Sequence, residues 1–204
     1  HKALILYFTP QVTTQIQSGD RVKKYTSLSL SRYLAELSSR KPVPGGGSVS
    51  AYVACLGMGL AEMAAQIGMK RIAPESKLSA EKAVKLLRKT KKDALQVVDL
   101  DPQVYQTVMK SYARARVLSD ETRKNRLIDD ALENAFRLQA NLALLVAMAR
   151  QAVDSLLGLI RGAIQNDLRV SRALLEAAFH GAYDTAHINV VYLKDPQKKK
   201  RSEQ

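Results

Sequence analysis

The sequence lacks tryptophan and is poor in other aromatic residues, and its 204 residues include a single cysteine, Cys55. One cysteine cannot form an intramolecular disulfide or a multi-cysteine zinc site, which fits a reducing, cytoplasmic compartment. Long β-branched runs are few, whereas Ala, Leu, Lys and Arg are abundant. Because these four residues favour helices over strands, we expect an all-α protein.

Acidic residues are also scarce, with 19 Asp and Glu against 32 Lys and Arg and a net charge of +13. Residues 194–204 supply +3 of that charge, so the excess is spread through the rest of the chain. A basic protein attracts nucleic acid, anionic lipid or a small substrate with several carboxylates or phosphates. The sign of the charge does not choose among these partners.

Long hydrophobic segments are nearly absent. Residues 49–67 are apolar enough to imitate a membrane span, but they contain Glu62, Gln66 and many small residues. The apolar stretch at residues 3–8 is too short for the core of a secretory signal. We therefore expect neither a membrane partner nor secretion.

The length favours one folded domain, and the composition suggests where it begins and ends. Residues 1–26 form an N-terminal extension in this interpretation, residues 27–193 a helical domain, and the Lys-rich residues 194–204 a disordered tail.

Hydrophobic spacing predicts a bundle of about six to seven helices. Asp101 and Pro102 have the sequence of an N-cap and first turn, so we expect a new helix to start there. A helix over residues 119–160 would span about 60 Å, which exceeds a compact domain, so we expect a bend or a break in it. The other helices are expected at 30–37, 49–69, from 74 and at 168–193.

Residues 42–48 read Pro-Val-Pro-Gly-Gly-Gly-Ser and exclude a regular helix up to Ser48, the predicted N-cap of the next one. Glycines let the main chain approach a ligand closely, and a helix start presents unpaired N–H groups and a positive dipole end. Ala and Gly recur throughout the following helix, which predicts that it is buried and closely packed against another backbone.

This loop is similar to the Pro-x-Pro-Gly-Gly-Gly-Ser signature of the formiminotetrahydrofolate cyclodeaminase and methenyltetrahydrofolate cyclohydrolase family. Residues 101–109, Asp-Pro-Gln-Val-Tyr-Gln-Thr-Val-Met, resemble the family's Asp-x-x-Ala-Phe/Tyr-x-x-Val-Met segment. Residues 167–189 resemble its closing helix. Together the matches span residues 28 to 193 in order.

The resemblance implies packed helices that form a homodimer, with a folate cleft lined by the glycine loop and the Asp-containing helices. It also implies the reaction: conversion of 5-formiminotetrahydrofolate to 5,10-methenyltetrahydrofolate with release of ammonia, or hydrolysis of the methenyl form. No permanently bound cofactor is expected, because the tetrahydrofolate derivative, with or without a polyglutamate tail, is the substrate.

The resemblance also suggests site residues. Asp101 is predicted to be a general acid and base, and Asp167 a second polar group at the one-carbon centre. Tyr105 would stack on a flat ring, and Lys110 would contact the glutamate tail. The predicted backbone donors are Gly45, Gly46, Gly47 and Ser48. Plainer explanations exist, since both aspartates fit helix caps and Tyr105 fits a core position.

The sequence departs from the family pattern near the reacting end of the cleft. Asn166 stands where serine is usual, Thr185 where asparagine is common, and His187 where arginine is frequent. The proline often found inside the long helix is missing near Gln139. These departures motivate an alternative, a catalytically altered paralogue that serves as a folate-binding or helical scaffold module.

Two further interpretations are weaker. Glu176, His180 and Asp184 share one helix face with His187, but a single helix rarely supplies a metal site and no His-Glu-x-x-His pattern exists. We therefore expect surface ion pairs or polar contacts at a dimer interface, and no metal. The lysine-rich face of the helix beginning at Pro74 and the basic tail are compatible with nucleic acid. No recognition motif supports that partner.

Overall fold

The computed structural model describes residues 23–202, and within that range it contains α-helices and short 3-10 turns but no strand. The helices are α1 Leu30–Leu37, α2 Gly46–Gly68, α3 Pro74–Ala115, α4 Glu121–Leu159, α5 Gln165–Val191 and α6 Pro196–Ser202. The prediction of an all-α bundle of about six to seven helices is confirmed, with six α-helices among the described residues. Most of the predicted N-terminal extension lies outside the described residues.

The four long helices form an antiparallel bundle. Each of α2 to α5 packs against the next along the chain, and α5 returns to pack against α2. Short connections between consecutive helices produce this up-down-up-down arrangement. Helices α2 and α4 therefore lie diagonally opposite each other, with α3 and α5 between them.

The helix faces that meet inside the bundle repeat at alternating intervals of three and four residues, the spacing of left-handed helix packing. The α3 face comprises residues 80, 83, 87, 90, 94, 97, 101, 104, 108, 111 and 115, and the α4 face residues 132, 135, 139, 142, 146, 149, 153 and 156. Asp101 and Gln139 are polar members of these two faces, and they carry the site described below.

Small residues on α2 allow close contact with α5. Gly57 lies against Ser171 and Leu175, and the Ser171 hydroxyl donates a 2.7 Å hydrogen bond to the Gly57 carbonyl. The close approach expected from the Ala/Gly-rich sequence is therefore present. Helix α2 is not completely buried, however, because Met63 and Ile67, on its face away from the bundle, are 42% and 54% exposed.

Helix α3 is continuous across Pro102, so the prediction of a new helix at Asp101 is wrong. A proline inside a helix removes the N–H that would bind the carbonyl four residues earlier, here that of Val98. The Ser48 hydroxyl donates to this carbonyl at 2.9 Å instead. Ser48 itself is not an N-cap, because α2 already begins at Gly46 with Gly45 as its N-cap.

Helix α4 is also continuous, and the predicted bend or break within it is wrong. Its 39 residues correspond to about 58 Å at 1.5 Å per residue. The 42 residues of α3 give it a partner of similar length. Two such helices side by side make an elongated bundle, in which a helix of this length needs no break.

Both ends of the described chain pack on the bundle. The buried Asp129 carboxylate accepts the N–H groups of Lys194 and Asp195 at 2.9 and 2.7 Å, just before α6. The structure thus has a docked helix where the sequence predicts a disordered tail. At the other end, Thr26 donates to the Asp99 carboxylate through its N–H and its hydroxyl.

Two helical stretches, Gly46–Arg71 and Glu121–Leu159, are long and apolar enough to cross a membrane by length and composition alone. Core helices of soluble proteins pass the same test. Half of the apolar window in the first stretch is buried inside the bundle.

Candidate active site

The site is built around Asp101, at the point where α3 crosses the head of α2. One carboxylate oxygen, Oδ2, accepts the N–H of Ser48 at 3.0 Å. The other, Oδ1, accepts the Nε2–H of Gln139 on α4 at 2.7 Å. A single carboxylate therefore connects three helices of the bundle.

Burial raises the pKa of the Asp101 carboxyl above its usual value, because removal from water disfavours the charged form. The hydrogen bonds from the Ser48 N–H and the Gln139 amide act in the opposite direction but do not cancel the effect of burial. A carboxyl group whose pKa is raised towards neutrality is suited to general acid and base chemistry.

Gly47 is glycine because this cluster leaves no room for a side chain. A Cβ atom at position 47 would overlap Gln139 Nε2 and Asp101 Oδ1. Gly46, by contrast, is exposed, and a Cβ there would meet Thr185 Oγ1 on α5 at 3.5 Å. The loop thus brings α2, α3, α4 and α5 together at the head of α2, level with the middle of α3 and α4.

The head of α2 presents free main-chain donors beside Asp101. Within residues 23–202, the N–H groups of Gly46 and Gly47 have no hydrogen-bond acceptor, as expected for the first residues of a helix. The Ser48 N–H differs from the prediction, because it is bound by Asp101 and does not face a ligand. Two amides and the helix dipole remain to attract an electronegative group.

The side chain of Ser48 holds the loop in place. Its hydroxyl hydrogen points to the Val98 carbonyl, so Tyr33 is the donor in the 3.1 Å contact between the two hydroxyls. Tyr33 is 3% exposed and stacks on Tyr52 with 4.9 Å between ring centroids. Burial raises the pKa of the Tyr33 phenol, which therefore remains a neutral donor.

The other predicted site residues differ in how close they lie to Asp101. Tyr105 lies one turn beyond Asp101 on the same side of α3 and is 36% exposed. Lys110, nine residues beyond Asp101, is on the opposite side of that helix. Asp167 precedes Ser171, which contacts Gly57, so it lies about 20 Å along the bundle from Asp101. The structure does not bring Lys110 or Asp167 to the cluster.

Sequence reasoning missed Gln139 and Tyr33 as members of the site. Gln139 carried a usable signal, because it occupies a core position of the three-and-four spacing on α4 and is 1% exposed. Tyr33 carried no such signal, since a buried tyrosine in an amphipathic helix is an ordinary core residue.

A surface groove of about 780 Å³ lies elsewhere, on the outer side of α4 and α5. Its lining is Leu157, Gln165, Arg169, Arg172, Ala173, Glu176, Ala177 and His180. Glu176 pairs there with Arg150 at 2.9 Å, in line with the predicted surface ion pairs. Among the described residues, no three His, Cys, Asp or Glu side chains are placed to hold a metal ion.

Fold and site together define a class of protein: an antiparallel helical bundle whose glycine loop brings the head of one helix against a buried carboxylate. Residues 29–204 match the family model described as formiminotransferase-cyclodeaminase. The chain belongs to that family, and the resemblance seen in its sequence is confirmed.

Individual relatives are distant. The chain is 26% identical over 192 residues to the formimidoyltransferase-cyclodeaminase of Gallus gallus and 25% identical over 169 residues to that of Rattus norvegicus. These matches cover 93% and 82% of this chain but only 35% and 31% of the relatives, so it spans about a third of their length.

A solved structure shares the fold. The crystal structure of formiminotetrahydrofolate cyclodeaminase from Thermotoga maritima superposes with a TM-score of 0.77 at 22% sequence identity. The superposition covers 87% of this chain and 85% of the other. At this identity the likeness establishes the architecture.

Proposed function

We propose that this chain is a folate one-carbon enzyme that closes 5-formiminotetrahydrofolate to 5,10-methenyltetrahydrofolate and releases ammonia, or hydrolyses the methenyl form. The observation that carries the proposal is the buried Asp101 carboxyl, held between the Ser48 N–H and the Gln139 amide beside two free amides of α2. Family membership supports the same substrate class.

Ring closure needs a group that takes a proton from one nitrogen and returns it to another. The substrate's N10 attacks the formimino carbon, and Asp101 accepts the N10 proton as the tetrahedral centre forms. The same carboxyl then protonates the amine nitrogen, so that the carbon–nitrogen bond breaks and ammonia departs. A carboxyl whose pKa is raised by burial exchanges protons more readily near neutral pH than an ordinary aspartate.

The free N–H groups of Gly46 and Gly47 suit an electronegative atom of the bound folate. Tyr105 lies on the Asp101 side of α3 with part of its ring exposed, a placement that suits stacking on the pteridine. The basic excess of the chain suits the negative glutamate tail. Asp167 and Lys110 have no part in this proposal.

The alternative is an altered paralogue that binds folate without turning it over. A specific observation favours it: Thr185, which stands where the family commonly has asparagine, lies directly at the glycine loop, with its Oγ1 atom 3.5 Å from the Cβ position of Gly46. A change beside the loop amides can reduce catalysis while leaving those amides in place.

We further propose that the protein is a homodimer that pairs through the outer face of α2. The α2 outer stripe consists of Leu56, Leu60, Met63 and Ile67, and three of these side chains are more than 40% exposed. On the side of α2 that packs against α3, Glu62 pairs with Arg88 and Lys91, both at 2.6 Å. An apolar centre with a charged rim is the usual anatomy of a protein interface.

The direct test follows the ultraviolet absorbance of 5,10-methenyltetrahydrofolate with the wild-type chain, with Asp101→Asn and with Asp154→Asn. Asp154 is the matched control, because its carboxylate is exposed and pairs with Arg172. We expect turnover by the wild type and the control, and its loss in Asp101→Asn with helicity retained.

Other outcomes discriminate between the two functions. Folate binding without turnover by the wild type supports the altered paralogue. A wild type that neither binds nor converts folate contradicts both functions. Normal turnover by a folded Asp101→Asn removes Asp101 from the mechanism.

A further inference from the structure

Only one of the two polar atoms of the Gln139 side chain has a hydrogen-bond partner among the described residues. Its Nε2–H group donates to Asp101 Oδ1 at 2.7 Å, but its Oε1 atom is buried and has no hydrogen-bond partner within the described residues. Native proteins rarely leave a buried amide oxygen unpaired, because its desolvation is uncompensated. Such a group calls for an explanation in terms of what the residue does.

The hydrogen bonds around Asp101 suit its ionised form only. Both carboxylate oxygens accept N–H groups, one from the main chain of Ser48 and one from the Gln139 side chain. A proton on Asp101 turns one oxygen into a donor, which then needs an acceptor. The Ser48 amide is fixed in α2 and cannot become one, whereas a glutamine amide presents its oxygen after half a turn about its last bond.

We propose that Gln139 is a positioning residue that serves both states of Asp101: its Nε2–H group binds the ionised carboxylate, and its Oε1 atom, after the amide turns, accepts the O–H of the protonated one. The inference rests on the proposed function for its purpose, since it explains how one carboxyl both takes and returns a proton. The contact between Gln139 and Asp101 from which it is argued does not involve the substrate.

The other groups around Asp101 do not offer both a donor for the ionised carboxylate and an acceptor for the protonated carboxyl. The groups that face the carboxyl are Gly47 and Ser48 of α2, Gln139 of α4 and Tyr33 of α1. Tyr33 is the titratable member of this set, and its hydroxyl is engaged with Ser48. Among the described residues, no Lys, Arg or His side chain forms an ion pair or hydrogen bond with the Asp101 carboxyl, whose hydrogen bonds come from Ser48 and Gln139.

The test measures the titration of Asp101 directly, by carbon-13 NMR of aspartate-labelled protein without substrate. The Asp101 signal is assigned by its absence in Asp101→Asn. Gln139→Met keeps the volume of the side chain and removes both polar atoms. The variant loses the contact made in each state, and the charge-assisted one to the ionised carboxylate is about twice as strong as the neutral one. We therefore expect the titration midpoint of Asp101 to move upward by about one pH unit.

Two comparisons isolate the effect. Val146→Ala, at a fully buried position of the same α4 face, lowers the melting temperature and leaves the Asp101 midpoint unchanged. Should Gln139→Met fail to fold, Gln139→Leu takes its place. It likewise lacks both polar atoms and adds no charge, so the midpoint again moves upward.

Failure of this inference can be told apart from failure of the proposed function. An unchanged midpoint in a folded Gln139 variant overturns the role of Gln139, whatever the enzyme activity. A raised midpoint supports it even where no folate turnover occurs. With turnover, the pH limb of kcat/KM is expected to move with the NMR midpoint in the Gln139 variants and to stay in place in Val146→Ala.

Discussion

At the scale of single residues, the unusual feature is Asp101, because the bundle places its carboxyl group where an apolar side chain would ordinarily lie. Its neighbours on the same face of α3, Val97 and Val104, are buried core residues. The carboxyl is tolerated there because the Ser48 N–H and the Gln139 amide compensate its partial burial. The same burial gives it the raised pKa on which the proposed chemistry depends.

Gly47→Ala tests how tightly this cluster is packed. The new Cβ would overlap Gln139 Nε2 and Asp101 Oδ1, so we expect a loss of about 1–3 kcal/mol in the free energy of unfolding and loss of folate turnover. Gly158→Ala is the control, because nothing lies within 4 Å of its Cβ position and alanine favours helix by up to about 1 kcal/mol. Chemical denaturation measures both; equal stabilities would contradict the described packing.

The raised pKa of Asp101 predicts a characteristic dependence of stability on pH. The folded state holds this proton to higher pH than the unfolded chain, whose carboxyl has a pKa of 3.8. The stabilising contribution is therefore complete below pH 3.8 and is lost as the pH rises through the pKa of the folded state. The stability of the wild type relative to Asp101→Asn should thus fall with rising pH in urea denaturation. A difference that grows instead would refute the raised pKa.

At the scale of helices, α3 depends on a hydrogen bond supplied from another element. Pro102 leaves the Val98 carbonyl without its usual donor, and the Ser48 hydroxyl replaces it. The glycine loop and the middle of α3 therefore stabilise each other.

A double-mutant cycle measures this dependence. We expect Ser48→Ala to lower the free energy of unfolding by about 1–2 kcal/mol, because it leaves the buried Val98 carbonyl unpaired. In Pro102→Ala, the alanine N–H can bind that carbonyl, so Ser48→Ala should cost about 1 kcal/mol less in that background. Additive effects of the two changes would show that Ser48 does not substitute for the missing N–H.

The individual helices also show where local patterns suffice. The boundaries of α1 and the start of α3 follow from hydrophobic spacing and from Pro74, and the structure agrees with both. The pair Asp101-Pro102 looked like a helix start because a local pattern does not contain the Ser48 hydroxyl, which lies some fifty residues away. The unbroken α4 was missed for a related reason: a long partner helix permits its length.

At the scale of the whole molecule, the exposed α2 outer stripe predicts an assembly. Met63→Glu would place a charge in the centre of the apolar stripe, and we expect it to weaken dimerisation at least about tenfold. Lys85→Glu, an exposed position on α3, makes a larger change in charge outside the stripe and should leave the dimer intact. Light scattering after gel filtration gives both masses. A monomeric wild type, or a Met63→Glu dimer as stable as the wild type, would refute the interface.

The sequence by itself determined the helical class, the glycine loop at the head of a small-residue helix, and the family, because these depend on composition, spacing and a contiguous motif. Only the tertiary structure decided that Asp101 binds across to α2 and α4, that Gln139 joins it, and that Asp167 lies about 20 Å away along the bundle. Those relations depend on which turns of separate helices meet at the same level, and a linear pattern does not contain that information.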